Sequence, residues 1–338
     1  MHFNLYNSTY YLFQTTVKTS DFLVFSKLLF DFHVVLFQLP VCNQVAYQTD
    51  WLMKETYLSH NIMLLGSSSE NSDLTELRHD KLLRHVGILG NTGSGKTVMA
   101  KIILEECALA GIPSIILDLQ GDLARMALPT INDPEADSKK QKDWMKKTDV
   151  RIWTPLDDSG LPICVNPFKL PSSDLNDDES IKAWDLLAIG LSESLGYPST
   201  KNSHLNVKAF INRLLITLAD KNSLPQNFGD LASSIGEEDP VDYDDLIKSS
   251  LLKKLQRNAN ALNSGIQSRL YTYGTPLKIP MMIETRKKGK TPVNILYLNT
   301  LPDEAMKMNF IQQFCRELYD WMLQNPSDND APQVMFFL

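Results

Sequence analysis

The sequence predicts an α/β fold, a mainly parallel sheet with flanking helices and a helical insertion, and three observations carry that prediction. An apolar run, His85–Leu89, leads through a glycine-rich loop into a helical pattern over residues 98–110. A second run, residues 114–117, is rich in β-branched residues and ends in Asp118; it follows Gly111 and Pro113, which stop the helix. Strands buried on both faces of a parallel sheet read as such continuous apolar runs. Further strand-like runs at 150–154, 293–298 and 333–338 alternate with helical patterns, as crossover-connected parallel strands require.

The loop between the first strand and the first helix is the most informative segment. Gly90, Asn91, Thr92, Gly93, Ser94, Gly95, Lys96 and Thr97 satisfy every fixed position of Gly-x-x-x-x-Gly-Lys-Thr, and Val98 opens the helix behind them. In that pattern the glycines let backbone N–H groups converge on phosphates at the positive end of the following helix. Lys96, the expected catalytic cation, reaches the β- and γ-phosphates, and the Thr97 hydroxyl is placed to ligand Mg²⁺. A strand before the loop and a helix after it form the β–α–β context expected of a true ATP site.

At 338 residues the chain is long enough for one large α/β domain with additions. The 43% hydrophobic and 22% charged fractions are ordinary for a packed soluble protein. A net charge of −7 gives no global basic field, so any nucleic-acid contact must be local. Cys42, Cys107, Cys164 and Cys315 form no Cys-x-x-Cys pair, which favours free thiols and a cytoplasmic setting.

Residues 1–61 are an aromatic-rich extension, expected to form short strands or irregular structure. Their most apolar stretch is interrupted by Lys27, Asp31 and His33, so no integral membrane span is expected. The run at 66–73, Gly-Ser-Ser-Ser-Glu-Asn-Ser-Asp, reads as a loop or linker near the start of a core domain over 62–338. Helical spacing at 183–195, 205–219 and 245–262, broken by Pro198, Pro225 and Pro240, predicts a helical insertion over about residues 175–280. A long amphipathic helix is expected over 304–323.

The text from His85 to Thr97, with Gly111-Ile-Pro-Ser-Ile-Ile-Leu-Asp-Leu-Gln-Gly-Asp-Leu123, resembles the HerA/FtsK superfamily of P-loop ATPases, and within it the HerA-like (DUF87) proteins. The blocks at 154–167 and 293–301 add weaker similarity. The resemblance implies a RecA/ASCE-like fold, ATP and Mg²⁺ as cofactors, and a hexameric ring that translocates double-stranded DNA, with a nuclease as a further partner. It leaves open an energiser of secretion or conjugation, or a non-hydrolysing nucleotide-binding fragment. In the family, the strand matching 333–338 ends in an Asp-Glu pair that holds Mg²⁺ and polarises water. The expectation is that residues 1–338 stop just short of that pair and hydrolyse ATP poorly.

Other residues carry two readings each. Asp118 is a tentative Mg²⁺ ligand at the carboxyl end of its strand, where ligands of open α/β sheets collect; Asp122 is read as the cap of a short helix over 123–128. The basic runs Lys139, Lys140, Lys142, Lys146, Lys147 and Arg286, Lys287, Lys288, Lys290 are solvated faces or phosphate contacts. Arg257 and Arg269 are possible trans-acting fingers. His85 is read as a packed residue, and the acidic stretch 237–245 as a solvated loop whose spacing fits no calcium site.

Overall fold

The computed structural model describes residues 4–5, 8–9, 34–38, 62–67, 73–83, 85–91, 93–128, 138–170, 176–238, 243, 245–326 and 332–338. The aromatic extension therefore falls largely outside the described residues. Of it, β1 (Asn4–Leu5) and β2 (Ser8–Thr9) pair antiparallel, and β3 (Val34–Gln38) pairs in parallel with β6 (His85–Leu89).

Six strands form the main sheet. They are β7 (Ser114–Asp118), β8 (Thr148–Pro155), β9 (Leu161–Cys164), β10 (Thr275–Pro276), β11 (Thr291–Tyr297) and β12 (Met335–Phe337), in the order β10-β9-β8-β11-β7-β12. The registered pairs β9–β10, β8–β9, β7–β11 and β7–β12 are parallel, as the sequence predicts for this fold class. All five residues of β7 are buried, the signature of a strand covered on both faces.

By internal contacts the chain divides into two units, and the division falls within β8. One is Met1–Ile152 with Pro280–Tyr297 and Asn325–Leu338; the other is Trp153–Ile279 with Leu298–Gln324.

In the first unit, α1 (Lys96–Leu109) buries residues toward two clusters, which explains why its apolar residues are not confined to one stripe. Leu104 and Ala108 join Ile116, Val293 and Ile295 against the sheet; Ile103 and Cys107 join Met63, Leu82 and Ile112. The helix stops where the sequence says it must. Gly111 takes a left-handed φ of 88°, its N–H donates to Ala108 O at 3.1 Å, and Ile112 N–H donates to Cys107 O at 2.9 Å. This is a Schellman closure, sealed by contact of Ile112 with the same apolar cluster as Cys107.

The run read as a loop or linker begins inside a strand: β4 (Ile62–Ser67) and β5 (Leu74–Arg78) pair antiparallel, so Gly66 and Ser67 lie in a ladder. Small polar residues hid that pairing, since only the first four residues of β4 are apolar. One expectation needs correction. The β–α–β unit is split between sheets. Strand β6 bonds to β3, whereas β7 lies in the six-stranded sheet. Val86 and Ile88 of β6 nevertheless pack on the same cluster as Met335 and Phe337 of β12.

A buried ion pair ties the rest of this unit together. Arg151 and Asp149 are each 5% exposed and 2.8 Å apart. The guanidinium also donates to the carbonyls of Met281 (3.2 Å), Met282 (3.3 Å) and Glu284 (3.2 Å), closing the C-terminus of α8 (Ile279–Ile283). Asn294 of β11 adds a donor to Met282 O at 2.7 Å.

The second unit is mainly helical: α3 (Asp177–Ser194), α4 (His204–Asp220), α5 (Phe228–Glu237), α6 (Ser249–Leu262), α7 (Gly265–Thr272) and α9 (Glu304–Gln324). Asn176 begins α3 with a full capping box to Glu179, and three acids occupy the first turn, where they complement the helix dipole. Phe210, Leu214, Phe228, Leu231 and Leu255 centre one apolar cluster. Phe168 and Tyr271 meet Phe228 ring to ring at 4.9 Å, and Tyr243 meets Phe210 at 5.0 Å. No helix among the described residues is long and apolar enough to cross a membrane.

Candidate nucleotide-binding site

Strand β6 delivers the chain into a turn that only glycine makes easily. Gly93 and Gly95 sit at φ of 80° and 89°, left-handed conformations that cost a residue with a Cβ. At Gly90 the neighbour is close instead: a Cβ there would lie 2.1 Å from Ser94 Oγ, so that hydroxyl would have to turn away. Ser94 N–H closes the turn onto Asn91 O at 3.1 Å. Gly95 then serves as N-cap of α1 and offers no side-chain cap, so the helix begins with its N–H groups uncovered by that residue. No acid occupies the first turn.

Lys96 points its ammonium back across the loop, donating to Gly90 O and Asn91 O at 2.9 Å each. An ammonium has three donors, and two hold it over the mouth of the turn where the amides converge. Thr97 is exposed and Val98 is 50% exposed, so the first turn is open on the side that carries the Thr97 hydroxyl. Thr92 and the side chain of His85 lie outside the described residues. A polyphosphate fits this cradle: it is positive by dipole and by Lys96, it lacks acids, and glycine keeps it shallow. Gly90→Ala is expected to weaken nucleotide binding about tenfold with little change in melting temperature, and Gly90→Ala/Ser94→Gly to recover part of the loss; titration with a fluorescent ATP analogue measures both.

Asp118 holds the turn that follows its strand. It is 3% exposed; Oδ1 accepts from Gly121 N–H at 2.8 Å, and Oδ2 accepts from Leu123 N–H at 3.0 Å and Ala124 N–H at 2.9 Å. Both oxygens accept from backbone N–H groups, so the carboxylate anchors the turn after β7. The capping role read for Asp122 belongs to Asp118, and Asp122 is left exposed at the carboxyl edge of β7. Gly121, at φ 87°, passes close to Tyr297: a Cβ would lie 2.7 Å from the ring. This clamp escaped sequence reasoning because two of its donors, Leu123 and Ala124, stand five and six residues after the acceptor, outside ordinary cap spacing.

The remaining predicted residues make contacts of their own. Lys140 pairs with Glu106 at 3.7 Å, Lys287 with Asp149 at 2.6 Å, and Lys290 donates to Met145 O (2.6 Å) and Thr148 O (3.2 Å). Arg269 stacks over the Tyr273 ring at 4.1 Å, and Arg257 is exposed on α6. In the acidic stretch, Asp245 makes a two-point pair with Arg213 at 3.0 Å and Tyr243 is in the core; among the described residues no His/Cys/Asp/Glu group could hold a metal by itself. Burial pushes the thiols of Cys107 and Cys315 up to about 12, which makes them packed rather than reactive groups. Cys42 lies outside the described residues.

The family model for the central domain of the helicase HerA (DUF87) matches residues 64–318. The chain belongs to the HerA central-domain family. That match begins within β4 and includes β5, the whole phosphate loop and α1. A solved structure of VirB4 from Thermoanaerobacter pseudethanolicus is similar, with 13% identity and a TM-score of 0.47; the similarity covers 78% of this chain and 64% of that one. None of the curated proteins matches the chain.

Proposed function

We propose that this HerA domain binds Mg²⁺-ATP over residues 90–98 and couples its hydrolysis to movement of double-stranded DNA, working as a homo-oligomeric ring. The observation that carries the reading is the glycine-turned N-terminus of α1, with the Lys96 ammonium held over it by Gly90 O and Asn91 O. Backbone N–H groups of residues 93–97 would hold the phosphates, the Lys96 ammonium would donate to the β- and γ-phosphates, and the Thr97 hydroxyl would hold the metal. Bound Mg²⁺ would supply positive charge against the negative charge of the reacting phosphates. The Asp118 anchor fixes the 119–124 turn at the carboxyl edge of the sheet, where open α/β folds bind ligands, and presents Asp122 there.

ATP turnover by the full-length protein, with and without duplex DNA, tests the reading. Duplex is expected to raise turnover several-fold and ATP to shift the protein to ring-sized species in sedimentation. Turnover indifferent to DNA would remove DNA as the substrate while leaving the nucleotide site standing.

A further inference from the structure

Within the first unit the fold joins the two basic runs into one surface. Helix α2 (Ser138–Lys147) advances about 100° per residue, so Lys139, Lys142 and Lys146 fall within about 60° of arc, with Lys147 beside them. All four are exposed. At 1.5 Å per residue the stripe from Lys139 to Lys146 is about 10 Å long.

The opposite face of α2 is fixed to the protein. Lys140 pairs with Glu106 of α1, and Trp144 packs on the cluster of Leu104 and Ala108 while its Nε1–H donates to Met126 O at 3.1 Å. The second run is fastened to the C-terminal end of the same helix, because Lys290 donates to Met145 O and Thr148 O and Lys287 pairs with Asp149. Those two lysines are spent on structure. The result is that Arg286 and Lys288 are held exposed at the end of α2 that carries Lys146 and Lys147. Six exposed cations thus share a surface on which the same segments place Asp143 and Glu284 as acids, in a chain whose net charge is −7.

We propose that this surface docks duplex DNA through its phosphates. Extending the DNA reading above, it rests on that reading for the choice of nucleic acid. A duplex carries one charge per roughly 1.7 Å of axis, so a cationic stripe of this length with a flanking loop meets several phosphates at once. Single strands are disfavoured, because Trp144, the aromatic of α2, is turned inward and offers no stacking platform. The helix that would touch DNA lies directly on α1, whose N-terminus forms the phosphate loop, so the DNA contact and the nucleotide cradle share one packed element.

The test is fluorescence anisotropy of the full chain with a labelled random-sequence duplex across salt concentrations. The variant Lys142→Gln/Lys146→Gln/Arg286→Gln/Lys288→Gln removes four cations that anchor nothing in the fold, and Lys248→Gln/Lys253→Gln in the second unit is the control. At about 0.9 per phosphate contact, the quadruple variant is expected to lower the slope of log K against log salt by about 3 to 4 and to bind at least tenfold more weakly. DNA-free turnover should be unchanged. An unaltered slope with wild-type DNA binding intact would overturn this surface and leave the DNA reading in place. Failure of the wild-type protein to bind duplex while turning over ATP would overturn both. Binding of polyglutamate as tight as that of duplex, and lost in the same variant, would reassign the surface to an acidic protein.

Discussion

In the full-length protein Lys96→Ala is expected to reduce ATP turnover by about 100- to 1,000-fold, the range seen when one preorganised charge or donor is taken from a transition state that develops negative charge. The effect should fall on nucleotide binding as well, because the ammonium faces the loop mouth in the ground state too. Folding should survive, since the two bonds that Lys96 makes are to loop carbonyls at the protein's edge and not to the core. Lys96→Arg should not rescue turnover: a planar guanidinium cannot replace a compact ammonium between two carbonyls of one tight turn. Turnover above one tenth of wild type in Lys96→Ala would contradict the role given to this residue.

Asp149→Ala is expected to cost about 3–5 kcal/mol of stability, because it leaves Arg151 charged and buried without its anion. The measurement is denaturant unfolding with a fluorescence readout. Arg151 keeps its three carbonyls, yet none of them neutralises it. Replacing both partners, as in Asp149→Ala/Arg151→Met, should recover part of the loss. Lys287→Ala should cost under about 1 kcal/mol, since that side chain is 66% exposed and its pair is screened by water.

The same cluster predicts an acid limit. Burial by itself would raise the Asp149 carboxyl, but hydrogen bonds from Lys287 and Arg151 outweigh it and hold the group below the usual carboxylate range. A depressed carboxylate contributes stability that is fully present above its unfolded value of about 4 and is lost as pH falls through that value toward the lower folded one. Unfolding at pH 3 should therefore be easier for the wild-type protein than at pH 6, and the difference should shrink in Asp149→Ala.

Features determined by near neighbours were legible in the sequence. The phosphate loop is eight consecutive residues whose geometry depends on glycines in place, and Gly111 ends α1 by a conformation that its own lack of a side chain permits. What escaped was set at a distance. Nothing near His85–Leu89 announces β3 as its partner, because the ladder joins residues whose register is settled only when both strands are present. Helix α5 was missed because it is ten residues long and opens on Asn-Phe-Gly-Asp, a capping sequence that reads equally as a turn. Arg151 closes a helix whose carbonyls lie 130 to 133 residues further on, which no periodicity encodes. The basic runs read as two solvated stretches until Lys290 and Met145, 145 residues apart, joined them.

A structure of the full chain with Mg²⁺ and a non-hydrolysable ATP analogue tests the central claim most directly. The triphosphate should lie over the N-terminus of α1 among the N–H groups of residues 93–97, with Lys96 Nζ moved from Gly90 O and Asn91 O to the β- and γ-oxygens and the Thr97 hydroxyl on the metal. A triphosphate bound elsewhere, or Lys96 still on its carbonyls with the analogue present, would contradict the account.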